Sequence, residues 1–493
     1  RTGTNTIECY GARLGVFCTR KDAVSNISGA FVHDTARQAV VTVGGITTVK
    51  DCQFRNTGYH SIEVQAGEAA VENVTVEDSK ASGLEAYTDA VVRLKGVTVT
   101  GSEGIGIASR GAQISGTDIT VTNTGTRGIT CGDSAKGQGS LNLSNVVLKR
   151  NVASSIYVYQ GGEAELTDVQ ISDGDSRGIY VADNSSCTLS GNSSIQNMGY
   201  RGAEIRGKFV MNDGAISGNH VTNSGAGVYV ANGGDFIMNG GAIFDNSSAS
   251  RGGGICVTDG KVTINGGKVY RNISVEHGGG MYAQKETEVM LNNGEISDNK
   301  SAANGDGIYI ASAATKVTVG ENFYLGRNDV KLENTEAVLM IAGNGPKRHS
   351  VSDPLLLTPK YSATEGTRVA SCENANVAKT LAKSVRSGDG SYNIRQNEKY
   401  FEIEYASADM DMTGADTVYV SNFEELEAAV QNTVSKRYIV LKADIAMERR
   451  LRLPGGVTIC ITDDGTKRTL TRANGFADNF FVTHYGTGLF LVG

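Results

Sequence analysis

Apolar and polar residues alternate in short runs through most of the first 345 residues, as in Ala90-Val91-Val92-Arg93-Leu94 and Lys261-Val262-Thr263-Ile264. Valine, isoleucine, threonine and tyrosine fill the runs, and glycine, asparagine, aspartate and serine separate them. A period of two sends successive side chains to opposite faces of a strand. No stretch here sustains the 3.6-residue period of a helix. The runs are themselves periodic, because one phrase keeps returning: glycine, an aliphatic, an aromatic or polar residue, an aliphatic. It reads Gly178-Ile179-Tyr180-Val181, Gly227-Val228-Tyr229-Val230, Gly254-Ile255-Cys256-Val257, Gly280-Met281-Tyr282-Ala283 and Gly307-Ile308-Tyr309-Ile310, with weaker copies upstream such as Ser61-Ile62-Glu63-Val64, Gly104-Ile105-Gly106-Ile107 and Gly202-Ala203-Glu204-Ile205. The anchor aliphatics 228, 255, 281 and 308 are 27, 26 and 27 residues apart. Self-similarity at this period marks a solenoid. One period holds the anchor strand, a second strand such as Asp235-Phe236-Ile237-Met238 and a third such as Gly241-Ala242-Ile243-Phe244. Three strands per turn of about 25 residues predict a parallel β-helix, with rungs about 4.8 Å apart.

A second column supports this reading. Asn219, Asn246, Asn272, Asn299 and Asn328 follow the third strand at intervals of 27, 26, 27 and 29 residues. Asparagine tolerates the left-handed backbone that a sharp coil corner needs, and side chains repeated at one corner can bond to one another as a ladder. Loop filler would not keep so regular a spacing.

These rungs resemble the right-handed parallel β-helix of the pectate-lyase-like group, and especially its glycine-rich versions on bacterial surfaces. Gly240-Gly241-Ala242-Ile243-Phe244-Asp245-Asn246 and Gly252-Gly253-Gly254-Ile255 are similar to adhesin-like repeats, although the Gly-Gly-Ala-Ile and Phe-x-x-Asn motifs that stand apart there merge into one phrase here. The expected fold is all-β: a right-handed parallel β-helix of about 12–13 rungs of 21–28 residues, then a small α+β cap and the start of a further β-helix. Its handedness comes from the resemblance and from the general preference of parallel crossovers.

The period is expected to end at residue 345. Over 346–416, Leu355-Leu356-Leu357 and Tyr400–Tyr405 read as strands, and Val377, Leu381 and Val385, four apart, predict a helix ending near Gly388. Such a segment would cover the sticky end of the stack. Over 417–493 the grammar restarts: Ser421-Asn422-Phe423-Glu424 reads as a capping box opening a helix, followed by strands at Tyr438–Leu441 and Val457–Ile461. Strand-helix-strand resembles the N-terminal cap of such β-helices. Thr487–Gly493 would run naturally into Arg1–Ile7, and the chain opens without methionine. The expectation is therefore one excised period of a tandem array, with neighbouring copies of the same repeat as partners.

Composition narrows the function. A net charge of -7 argues against nucleic acid as a partner, and no apolar run approaches the 18 or so residues of a membrane span. All four prolines lie at or beyond 346, which leaves the repeats free to form ladders. The eight cysteines stand far apart with no Cys-x-x-Cys, so metal and redox motifs are not expected. They read as buried free thiols, with disulfides between neighbouring rungs as the alternative. The six histidines form no His-x-x-x-His pair, and no Gly-x-Ser-x-Gly, Walker or dinucleotide fingerprint stands in the right setting. No cofactor, metal or catalytic residue is assigned.

The residue after each anchor should face outward: Glu63, Glu85, Gly106, Thr130, Tyr157, Tyr180, Glu204, Tyr229, Cys256, Tyr282 and Tyr309, with His60, Arg127, Arg177 and Arg201 two residues before theirs. From these, Glu63, Glu85, Tyr157, Arg177, Tyr180, Arg201, Glu204, Tyr229, Tyr282 and Tyr309 are candidate contacts for glycans or for host or other-cell surface components. Glu63 and Glu85, on adjacent rungs, could approach the separation of about 5 Å used in retaining glycoside hydrolysis. The resemblance implies acidic calcium ligands and an arginine base on such a face, with Arg177, Arg201 and Glu204 the nearest equivalents, yet no catalytic motif matches. The expected function is an extracellular, cell-surface structural or adhesive repeat of a large bacterial surface protein or fibre. The alternative is a carbohydrate-active enzyme, a lyase or hydrolase, with a groove on this face.

Overall fold

The computed structural model describes residues 16–18 and 22–492, apart from 134–136, 327, 347–348, 361–362, 389–391, 405–413, 434, 455–456, 464–467, 474–479 and 483–487. The chain divides into two compact units, residues 1–405 and 406–493.

The first unit is a parallel β-helix built on one sheet of 16 strands. It begins at Val16–Cys18 and runs through Ile62–Val64, Ile179–Val181 and Ile308–Ile310 to Val385–Ser387. Each strand pairs in parallel with those one coil before and after, and the anchors stand in register: Ile62 beside Leu84, Leu84 beside Ile107, Ile107 beside Ile129. The sequence phrase Gly104-Ile105-Gly106-Ile107 offers two anchors, and the ladder takes the second. The outward residue of that coil is therefore Ala108 rather than Gly106.

The second and third strands of a coil meet at a corner that ranges from a single residue to the three between Gly234–Met238 and Ala242–Phe244. In five successive coils they form one unbroken strand, as in Gly67–Glu77 and Glu163–Ser172. Asn73, Gly96, Asp118, Asn145 and Asp168 hold left-handed backbone within these strands. Asparagine, aspartate and glycine take this conformation at least cost, so in these five coils the corner is written into the sequence at one position. Behind the corners, one apolar core extends from Ala30 to Ile403, with Phe209 and Phe236 stacked at 5.7 Å on consecutive rungs.

The asparagine column lies inside. Asn246, Asn272 and Asn299 are buried, and the Nδ2 of each donates to the Oδ1 of the next, at 2.9 Å from Asn246 to Asn272 and 3.0 Å from Asn272 to Asn299. Asn219 and Asn328 extend the chain at its ends, at 2.9 and 3.2 Å. The reason differs from the one expected. None of these asparagines has a positive φ; the left-handed residue is the one before, as at Asp245, Arg271 and Asp298. What the asparagines supply is satisfaction of buried backbone groups: Asn272 Oδ1 accepts from the Asn246 N–H, and Asn272 Nδ2 donates to the Ile243 carbonyl. This also explains the glycine of the repeating phrase. A Cβ on Gly254 would lie 2.6 Å from the Gly280 carbonyl oxygen and 2.9 Å from Asn272 Nδ2. Glycine and asparagine are therefore paired requirements of one coil.

The ladder continues two strands past residue 345, at Leu355–Thr358 and Val385–Ser387. The helix in this region, α1 (Ala375–Leu381), is shorter than the four-residue spacing predicts, and Val385 belongs to the following strand. Asn374 caps α1 by accepting from the N–H groups of Asn376 and Val377. A hairpin, Asn393–Asn397 with Tyr400–Glu404, then lies antiparallel to Arg368–Cys372. Reversing direction here takes up a strand edge that a further parallel coil would need.

In the second unit, Asp416–Val420, Lys436–Leu441, Thr458–Asp463 and Gly488–Val492 form a parallel sheet. Helix α2 (Phe423–Gln431) buries Phe423, Leu426 and Val430 against it. The cap is shifted by one residue from the expected box: Asn422 Oδ1 accepts from the Glu425 N–H at 2.9 Å, and Glu425 Oε2 accepts from the Ser421 N–H at 2.7 Å. Two further parallel pairs, Ile445–Met447 with Leu470–Arg472 and Leu451–Arg452 with Phe481–Val482, repeat the three-ladder grammar of the first unit.

Candidate functional site

Strand alternation turns the residue after each anchor away from the core, but it does not leave that residue exposed. Glu63, Glu85 and Glu204 are 5%, 2% and 1% accessible. The turns flanking the strand and the next outward side chains close over them. A carboxylate withdrawn from water must find charge or donors, and each of the three has done so.

Glu63 accepts from Gln38 Nε2 through Oε2 and from Gln65 Nε2 through Oε1. Glu85 accepts from Ser82 Oγ at 2.8 Å, from the Tyr87 hydroxyl at 2.9 Å and from Arg110 Nε. Arg110 Nη1 also reaches Asp133 Oδ2 at 2.7 Å. Glu63 and Glu85 are register partners on adjacent strands, yet their oxygens are committed to separate sets of donors. Glu204 is the second charged hub. Arg177 Nε and Arg201 Nη1 each donate to Oε2 at 2.6 Å, and Arg206 Nη2 lies 3.4 Å from Oε1. Burial pushes the Glu204 carboxyl up, but the Arg177 and Arg201 guanidiniums outweigh it and hold the group below its ordinary value. At neutral pH it is an anion clamped by cations, a poor proton donor.

The tyrosines form two stacks. Tyr157 and Tyr180 lie nearly parallel at 4.8 Å, both half-buried. Arg127 sits 4.0 Å over Tyr157, and Arg201 3.7 Å over Tyr229. Farther along, Tyr282 and Tyr309 stack at 5.4 Å, His277 stacks on Tyr309 at 4.3 Å, and Cys256 completes a small apolar cluster against Tyr229. Tyr282 and Tyr309 are buried, so of the candidate tyrosines Tyr157, Tyr180 and Tyr229 keep half-buried rings at this face. Burial pushes the Cys256 thiol up to about 12, making it an apolar filler rather than a nucleophile. Cys52, Cys131, Cys187, Cys256, Cys372 and Cys460 are free and buried. Among those residues no cluster of three metal-ligating side chains occurs, and no helix is long and apolar enough to cross a membrane.

The residues missing from the sequence reading are Gln65, Tyr87, Arg110 and Arg206. Each stands two positions beyond an outward residue: Glu63, Glu85, Ala108 and Glu204. The period of two that located the first outward position also locates the second, so this signal was present in the chain. Ser82 and Gln38 come from turns and carry no such mark.

Residues 38–166 and 154–324 match the family described as right handed beta helix region. No curated protein and no solved structure matches the chain. The match extends over more than half of the chain, through the anchor strands, the left-handed corners and the buried asparagines. The chain belongs to the right-handed β-helix family.

Proposed function

We propose that this chain is an extracellular structural or adhesive repeat of a bacterial cell-surface protein or fibre, in which the β-helix acts as a stiff spacer. The observation that carries this reading is the uninterrupted 16-strand parallel ladder over a single apolar core. Sixteen rungs at about 4.8 Å give this unit a stack of roughly 70 Å. Every rung is tied to its neighbours by backbone bonds, and the coils from Asn219 to Asn328 also by buried asparagine amides, so the stack resists bending and local opening together. The half-buried rings of Tyr157, Tyr180 and Tyr229, stacked with arginines, offer weak contacts to glycans or other surface components, and repetition in neighbouring copies would multiply them. The carboxylates that a hydrolase would use are clamped by arginines, amides and hydroxyls.

Single-molecule stretching tests the mechanical part. The β-helix unit should unfold in large cooperative steps, and extension at low force without such steps would overturn the spacer role. Labelling of intact source cells with antibody against this unit tests the location. A glycan array together with turnover assays on acidic and neutral polysaccharides tests the face: binding without turnover is expected, and clear turnover would favour an enzyme instead.

A further inference from the structure

Beside the Glu85 hub, a cleft of about 510 Å³ opens on the anchor face, lined by His60, Ser82, Glu85, Arg110 and Arg127 with small apolar residues between them. Two of its groups have unused hydrogen-bonding capacity. His60 is 5% accessible. Its Nδ1 lies between the Ser82 N–H, which donates to it at 3.1 Å, and Glu85 Oε2 at 3.2 Å; with Nδ1 accepting from the Ser82 N–H, the imidazole proton sits on Nε2. Burial, the largest influence, lowers the affinity of this imidazole for a second proton. Nε2 meets no acceptor among the described residues, and a buried donor left unmatched is destabilising. Arg127 is the second group. Its guanidinium stacks on Tyr157 and makes no ion pair or hydrogen bond with any described residue.

The carboxylates nearby do not fill this role. Glu85 approaches His60 on its Nδ1 side and not at Nε2, both Glu85 and Asp133 are bonded to Arg110, and Glu63 is held by Gln38 and Gln65. Arg110 is therefore divided between two anions, whereas Arg127 is left with an aromatic face. We propose that the cleft is a binding site for a single organic carboxylate, which would take paired N–H donors from Arg127 and present an acceptor to the His60 side of the cleft. The volume suits a ligand the size of one monosaccharide or one amino acid. This site is separate from the spacer role and can exist whether or not the repeat is adhesive.

Titration of the intact chain, followed through the His60 Cε1–H resonance in ¹H–¹³C spectra, tests the proposal, with the resonance assigned by its loss in His60→Gln. Glucuronate, acetate and glucose are the probes. A saturable shift with glucuronate, absent with glucose, is expected, with Kd of about 1 mM or weaker for one solvent-accessible ion pair. Acetate distinguishes a free carboxylate from one that needs a ring. A matching response to acetate assigns the site to the carboxylate alone, and its absence assigns it to the sugar acid; either supports the site. Arg127→Gln, at a half-buried position, should keep the fold by circular dichroism and weaken binding at least tenfold. Arg93→Gln, on a different strand of the coil, should leave it unchanged. No saturable shift, an equal response to glucose, or full binding by Arg127→Gln would overturn the proposal.

Discussion

Two asparagine ladders run along this β-helix, and comparing them isolates what burial adds. The inner one contains Asn272. Its side chain accepts from the Asn246 N–H at 3.1 Å and Asn246 Nδ2 at 2.9 Å, and donates to the Ile243 carbonyl at 2.9 Å and Asn299 Oδ1 at 3.0 Å. The outer one contains Asn265, which donates to Asn239 Oδ1 at 2.9 Å and accepts from Asn292 Nδ2 at 2.8 Å, all three exposed. Asn272→Ala removes four bonds where water cannot replace them, and strands the Asn246 N–H and the Ile243 carbonyl. At about 1 kcal/mol per bond, and with Asn246 Nδ2 keeping its bond to the Ile216 carbonyl, the loss should be roughly 3–4 kcal/mol. Asn265→Ala exposes its partners to solvent and should cost under about 0.5 kcal/mol. Urea unfolding can be followed through the 19 tyrosines, since the chain has no tryptophan, and in parallel by far-ultraviolet circular dichroism. Coincident transitions would license a two-state ΔG. If they separate, hydrogen exchange at the rungs flanking 272 gives the local value, because each rung is coupled chiefly to its neighbours. A loss below about 1 kcal/mol for Asn272→Ala, or equal losses for the two variants, would refute the assignment of the inner ladder as a buried structural element.

Gly254→Ala should destabilise by more than about 2 kcal/mol, since its methyl would press on the Gly280 carbonyl and the Asn272 amide, and Gly233→Ala measures the different effect of a positive φ with open space around the Cβ. Glu204→Gln removes the buried anion shared by three arginines and should cost about 3–5 kcal/mol by thermal or chemical unfolding, while Arg206→Gln, its most exposed and most distant partner, should cost under about 1 kcal/mol. The Glu204 carboxyl lies below its ordinary value in the fold, so its contribution is present above the unfolded value of 4.5 and is lost as pH falls below it; Glu204→Gln should flatten the acid limb of the stability curve. His60 titrates in a separate window. Its folded value is also lowered, so the unfolded chain binds the extra proton first and stability should decline as pH falls below the unfolded value of 6.5, a decline that His60→Gln should reduce.

Much of this fold is legible in the chain because a solenoid converts sequence period directly into spatial neighbours. The anchors at Val228, Ile255, Met281 and Ile308 stand one coil apart in the chain and side by side in the sheet. The asparagine column is read in the same way. Its physical reason is not, because whether a corner asparagine adopts a left-handed backbone or turns its amide inward depends on how the third strand ends, and the left-handed role fell to the residue before it. The choice of Ile107 over Ile105 is likewise a matter of register, fixed by Leu84 and Ile129 on either side.

Alternation by itself determined which residues leave the core; tertiary structure decided whether they reach water. Glu63, Glu85 and Glu204 point away from the apolar interior, as a period of two requires, yet lie beneath side chains contributed by neighbouring coils and turns. Arg177 reaches Glu204 from one coil earlier, and Gln38 reaches Glu63 across a separation of 25 residues. The local pattern carries the direction of a side chain. Its solvation and charge are set by what stacking brings over it, and that depends on the lengths and conformations of turns that no strand pattern records.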